Sequence, residues 1–125
     1  MKLQAPIPLF RIFDYQLARK FYVDWLGFRI DWEHQFSPTA PRYLQISRDA
    51  AILHLTEHHG DCSPWAKAFI HIDDVEALHR ELATRPNPNM NPGIEDAPWQ
   101  AKVMEVIDPF GNRLCFNQSL AGETS

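Results

Sequence analysis

The stretch that most constrains the fold lies near the end of the chain: Pro98-Trp99, a run to Ile107, then Asp108-Pro109-Phe110-Gly111-Asn112 and a second run from Arg113 to Asn117. It reads as two strands joined by a tight turn. Val103 to Ile107 is rich in β-branched and apolar residues, and Leu114-Cys115-Phe116 resumes after the turn. Pro109 fixes φ near about −65° for an early turn position, and Gly111 supplies a positive φ that a side chain would resist. Asp108 can close the turn through its carboxylate. A bare hairpin cannot bury its apolar face, so the rest of the chain must supply partners.

Upstream, one order of elements occurs twice. Ile7 to Phe13 is mostly apolar and opens with Pro6 and Pro8, which confine a strand there to an edge or to an arm crossing onto another chain. Asp14 is placed to cap a helix to about Trp25, with Leu17, Ala18, Phe21, Tyr22 and Trp25 as its buried stripe and Gly27 at its end. Strands follow over Phe28 to Gln35, Arg42 to Ser47 and Ala51 to Thr56, and His58 to Pro64 is a polar linker.

Lys67 to Ile72 starts the second round. Asp73 or Asp74 caps a helix whose stripe is Val75, Leu78, His79 and Leu82; Glu76 is placed for a capping box with Asp73, and Arg85-Pro86 stops the helix. The prolines from Pro86 onward limit any strand over Asn87 to Gly93 to a short edge, and the hairpin completes the unit. The expected fold class is α+β: one domain over residues 1–125, made of two βαβββ units at about 6–57 and 67–118. Each unit leaves one sheet face open. Two such faces brought together form a half-barrel with a concave groove.

With 12 basic and 16 acidic residues the net charge is −4, which weighs against a nucleic-acid surface. No apolar run approaches the roughly eighteen residues of a membrane span. No apolar segment follows Met1-Lys2-Leu3-Gln4 as in a secretory leader, so a cytoplasmic location is expected. Cys62 and Cys115 form no CxxC motif and read as free thiols.

Phe10-Arg11-Ile12-Phe13-Asp14, Lys20-Phe21-Tyr22-Val23-Asp24, Leu26-Gly27-Phe28, Asp73-Asp74-Val75, Pro98-Trp99 and Asp108-Pro109-Phe110-Gly111-Asn112 together resemble the glyoxalase/bleomycin-resistance family of the vicinal oxygen chelate superfamily. The resemblance runs from about Pro6 to Asn117, and Pro98-Trp99 resembles the bleomycin-resistance branch. It implies paired βαβββ modules, a homodimer with cavities shared between chains, and an N-terminal strand that crosses to the partner beside a proline, here Pro8.

The metalloenzymes of that superfamily chelate a divalent metal at places that fall on Ile7, Lys67 and Cys115 of this sequence. An alkyl chain cannot ligate, an ammonium repels a cation, and one thiol makes no site. The resemblance thus implies a protein without the usual metal and without cofactor. The alternative is a metal-dependent lyase, isomerase or dioxygenase using zinc, nickel or manganese on nonstandard ligands, His54, Glu57 and His58, from the run His54 to Asp61. In a strand, His54 and His58 share a face and Glu57 takes the other, so one strand cannot converge all of them. No GxSxG elbow or phosphate-cradling glycine loop occurs.

The chain holds 4 Trp, 8 Phe and 3 Tyr, more than a core of this size needs. Flat rings stack planar heteroaromatics and attract cations over their faces. By resemblance Trp32, Phe36, Phe69 and Trp99 match groove aromatics. His54 is the competent polar residue of the fourth strand, and Asp31 and Glu33 flank Trp32, where they would draw a positive charge. The expected partner is a small cationic or planar aromatic molecule such as bleomycin, sequestered for antibiotic resistance rather than transformed.

Overall fold

A computed structural model describes residues 1–85, 87 and 90–120. The chain forms β1 (Leu9–Arg11), α1 (Tyr15–Arg19) continuing into a π-helical segment (Lys20–Trp25), β2 (Arg29–His34), β3 (Tyr43–Arg48) and β4 (Ala51–Thr56). It then repeats with β5 (Lys67–His71), α2 (Val75–Ala83), β6 (Ile94–Ala97), β7 (Ala101–Ile107) and β8 (Arg113–Ser119). The sheets are ordered β1-β4-β3-β2 and β5-β8-β7-β6, so the two βαβββ units share one topology. In each, the first strand runs parallel to the last and the remaining pairs are antiparallel. β1 occupies an edge and pairs with β4 of its own chain. No helix among the described residues is long and apolar enough to cross a membrane.

The core lies between the helices and one face of each sheet. Leu44, Ile46, Leu53 and Leu55 alternate inward from β3 and β4, and Met104, Val106, Leu114 and Phe116 from β7 and β8. Asp14 caps α1, accepting from Leu17 N at 3.0 Å. Leu26 N bonds Phe21 O at 2.9 Å, an i to i+5 closure that marks the wide turn. Ala18, Phe21, Tyr22 and Trp25 are buried as the stripe predicts, but Leu17 is exposed.

The second helix departs from expectation in its cap. Asp74 is the cap, accepting from Ala77 N at 3.0 Å, so Glu76 stands one place too early for a capping box. Its carboxylate instead takes Lys102 Nζ at 3.1 Å. Val75, Leu78 and Leu82 are buried, while His79 is half-buried and bonds Pro92 O through Nε2 at 3.1 Å. The stop expected at Pro86 lies outside the described residues.

Two polar nodes join the units. In the first, Asp108 Oδ2 accepts from Tyr22 Oη at 2.7 Å and Asn112 Nδ2 at 2.9 Å, and Oδ1 from the backbone N–H groups of Phe110 (2.9 Å) and Asn112 (2.8 Å). Asn112 Nδ2 also reaches Arg11 O at 2.8 Å. Gly111 holds φ +91, and a Cβ there would run into the Trp65 indole.

In the second node Glu81 binds Arg48 (2.7 Å) and Arg85 (2.6 Å), while the same guanidinium groups cap Leu26 O (2.6 Å) and Trp25 O (2.8 Å). The Arg48 hydrogen bonds, then those of Arg85, lower the Glu81 pKa to about 2 from 4.5. A carboxyl depressed on folding adds stability above its unfolded pKa and loses it as pH falls through the folded value. The loss here falls between about pH 4.5 and 2. With Glu81 about a third exposed, screening reduces the effect to roughly 1 kcal/mol. Urea unfolding at pH 6 and pH 3 should show that acid-side loss in the native chain and a smaller one in Glu81→Gln. An equal loss in both would remove Glu81 from the account.

Candidate functional site

The sheet faces opposite the core are open, and their residues follow from the pleat. On the first sheet Tyr43, Gln45 and Ser47 alternate with the core residues Leu44 and Ile46, and they pair with Thr56, His54 and Ile52 of β4; Ser47 and Thr56 are themselves covered by their neighbours. β2 carries a bulge between Ile30 and Trp32. The extra residue turns both Asp31 and Trp32 onto the open face. Trp32 lies parallel to Tyr43, 7° between planes at 6.0 Å, and edge-on to His54 at 5.3 Å.

A hydrogen-bonded chain runs across this face. Asp31 accepts from Gln45 Nε2, Ser47 Oγ and Arg29 Nε, each at 3.0 Å. Gln45 Oε1 lies 3.0 Å from His54 Nε2, and His54 Nδ1 lies 2.7 Å from Tyr43 Oη. The Gln45, Ser47 and Arg29 bonds hold Asp31 below the usual carboxylate range. Burial lowers His54 and raises Tyr43, the latter helped by the nearby Asp61 and Cys62.

On the second sheet the open face carries Lys67, Phe69 and His71 on β5 beside Arg113, Cys115 and Asn117 on β8. Glu105 binds Lys67 at 3.0 Å and Arg113 at 3.4 Å. Phe69 is half exposed and touches His71, at 5.2 Å between ring centres. Trp99, in the β6–β7 turn, is 57% exposed and donates Nε1–H to Asn117 Oδ1 at 2.8 Å.

The structure therefore brings Asp31, Trp32 and His54 together, and places Phe69 and Trp99 on the other open face. Phe36 stands outside the cluster on the β2–β3 loop, 82% exposed and edge-on to His34 at 4.6 Å. Glu33 is a correction. It pairs in register with buried Leu44 and takes Tyr15 Oη at 2.8 Å and Arg42 at 3.5 Å, away from the aromatic face. Asp31 is on the face, but its three internal donors answer the charge expected to draw a cation. Tyr43 and Gln45 were missed. Their signal was the polar, odd-numbered alternation of Tyr43, Gln45 and Ser47 in phase with His54.

The superfamily's metal does not fit here. At the three matching places stand Ile7, a lysine bound to Glu105, and Cys115, buried and pushed up in pKa by that burial. The alternative ligands do not converge either: both His54 nitrogens are engaged, Glu57 Oε1 accepts from Arg42 N at 2.9 Å, and His58 faces Thr56 and Asp61. No group of three His, Cys, Asp or Glu able to hold a metal occurs among the described residues.

Of two cavities, the larger shares Lys67, Phe69 and His71 with the second open face. A cleft of about 990 Å³ runs between Pro6, Pro8 and the start of β4 on one side and β5 and α2 on the other, and it takes in Phe69 but not Trp32, His54 or Trp99. A pocket of about 390 Å³ lies by Trp25, His79 and Met90.

The profile described as Glyoxalase superfamily protein matches residues 1–123. The chain belongs to the glyoxalase/bleomycin-resistance family. A bleomycin-binding protein from bleomycin-producing Streptomyces verticillus, solved with copper(II)-bleomycin, is 25% identical with TM-score 0.69, over 98% of this chain and 99% of that one. A bleomycin-binding protein complexed with bleomycin is 20% identical with TM-score 0.71, over 94% and 99%. TnmS3, an antibiotic binding protein from Streptomyces sp. CB03234, is 23% identical with TM-score 0.65, over 95% and 99%. No curated protein matches the chain. The paired βαβββ fold of the family is the fold of this protein.

Proposed function

We propose that this family member is a metal-independent binding protein that sequesters a planar aromatic small molecule on its open sheet faces and leaves it chemically unchanged. The observation that carries the reading is the exposure of Trp32, Phe69 and Trp99, at 44%, 51% and 57%, on faces turned away from the core. Each is fixed by a neighbour, so each offers a preset ring for stacking at little ordering cost. The solved relatives described as bleomycin-binding or antibiotic binding support a small-molecule ligand of this kind.

Two chains related by a two-fold axis would place the first open face of one opposite the second open face of the other. The groove is then a property of a homodimer in the cytoplasm. Light scattering should give twice the mass of one chain; a monomer at micromolar concentration overturns the shared groove.

The test of binding is tryptophan fluorescence of chelator-treated protein titrated with metal-free bleomycin, repeated after zinc, nickel or manganese is added. Saturation near one drug per chain without metal supports the reading. Binding that appears only with one retained metal per chain overturns it in favour of a metalloenzyme.

A further inference from the structure

The hydrogen bonds on the first open face have only one consistent direction. An ionised carboxylate accepts and never donates, so the amide of Gln45 must turn its NH₂ toward Asp31 and its carbonyl toward His54. That carbonyl can only accept, which puts a proton on His54 Nε2. Burial keeps the imidazole neutral at neutral pH, leaving Nδ1 as a bare acceptor. Tyr43 Oη, 2.7 Å away, therefore gives its one proton to His54.

Resting on the binding reading above, we infer that Tyr43 is the specificity-determining residue of this face: with its proton committed to His54, Oη presents lone pairs to the ligand and selects planar molecules that carry an N–H or O–H donor at their edge. Gln45 and His54 are positioning residues that set this polarity from Asp31. Trp32, parallel to Tyr43 and 44% exposed, sets the plane of the guest. The surroundings reinforce the choice. The Asp61 carboxylate, which takes Thr56 Oγ1–H at 2.7 Å, lies close enough to Tyr43 to raise its pKa, so this corner disfavours a guest whose edge is itself an acceptor. A guest without a donor leaves the lone pairs of a partly buried phenol oxygen unmet, which costs affinity.

Indole and benzofuran test this, being near-isosteres that differ in one edge atom, an N–H against an oxygen. Both are titrated against ¹⁵N-labelled protein, read from the tryptophan side-chain N–H signals. The expected result is that indole binds about five- to tenfold more tightly, that Tyr43→Phe binds both at the benzofuran level, and that His54→Phe, which releases the phenol proton, shrinks the preference. Equal affinity for the two in the native protein, or a preference that survives Tyr43→Phe, overturns the inference while leaving the binding reading standing. If neither compound shifts any tryptophan signal, this face does not take planar rings and the inference falls, while the bleomycin titration decides the binding reading by itself. A long-range ¹H–¹⁵N spectrum of His54 reports the polarity without any variant. The neutral Nε2-protonated tautomer is expected, and the Nδ1-protonated form or an imidazolium at neutral pH overturns the inference.

Discussion

Replacing Asp108 by alanine is expected to lower the unfolding free energy by about 3–5 kcal/mol and the melting temperature by roughly 10–20 °C. The residue is 5% exposed and its two oxygens accept four hydrogen bonds. Deleting the carboxylate leaves Tyr22 Oη and two backbone N–H groups to find new partners in a dry site. Burial is the largest influence on Asp108 and raises its pKa against the pull of those donors, so its charge is held at a cost. Asp108→Asn keeps one acceptor oxygen but sets an amide N–H beside donors, and should fall between the native chain and the alanine variant. Thermal melts followed by circular dichroism give the comparison. A drop below about 1 kcal/mol for Asp108→Ala would show that water replaces the carboxylate, contrary to its burial.

The second large effect is on ligand rather than fold. Trp99→Ala should weaken binding of the saturating ligand at least about tenfold, while the melting temperature moves by only a few degrees. The ring is more than half exposed, so little core packing is lost. What it loses is a stacking surface aligned by the Nε1 bond to Asn117, a residue 3% exposed. Trp99→Phe separates the two contributions, since it keeps an aromatic face and drops the bond. Affinity in Trp99→Ala within twofold of native, in a folded protein, would remove this ring from the site.

Much of the fold was legible because local chemistry and long-range packing agreed. Asp108, Gly111 and Asn112 form the tight turn that their residue types demand, and Gly111 sits at the positive φ that suits glycine. The alternation of β3 and β4 and the caps at Asp14 and near Asp74 could be read from spacing alone. The π-helical segment could not, since no residue type between Lys20 and Trp25 demands a wide turn.

The open face was harder to read. Trp32 and His54 were visible as residue types, but the bulge at Asp31 decides which neighbours share their face. Straight alternation sets Asp31 and Glu33 alike on either side of Trp32. The bulge separates them, sending one carboxylate to Gln45 and the other to Tyr15. Tyr43 falls within a strand run of the sequence, and its bond to His54 depends on a partner 11 positions away.

The two sheets repeat one strand order, yet the bonds between units span the whole chain. Tyr22 meets Asp108 across 86 positions, Asn112 meets Arg11 across 101, Arg85 meets Trp25 across 60 and Arg48 meets Glu81 across 33. Each repeat therefore ends some of its own backbone bonds on the other. Unfolding should follow as a single cooperative transition, with both repeats melting together at one denaturant midpoint. Folding pays the loop-closure entropy of these distant contacts before they repay it, which places the chain among slow folders for its size. A protein cut in the linker between β4 and β5 should regain its structure only when both halves are present. The repeat is architectural; the folding unit is the whole.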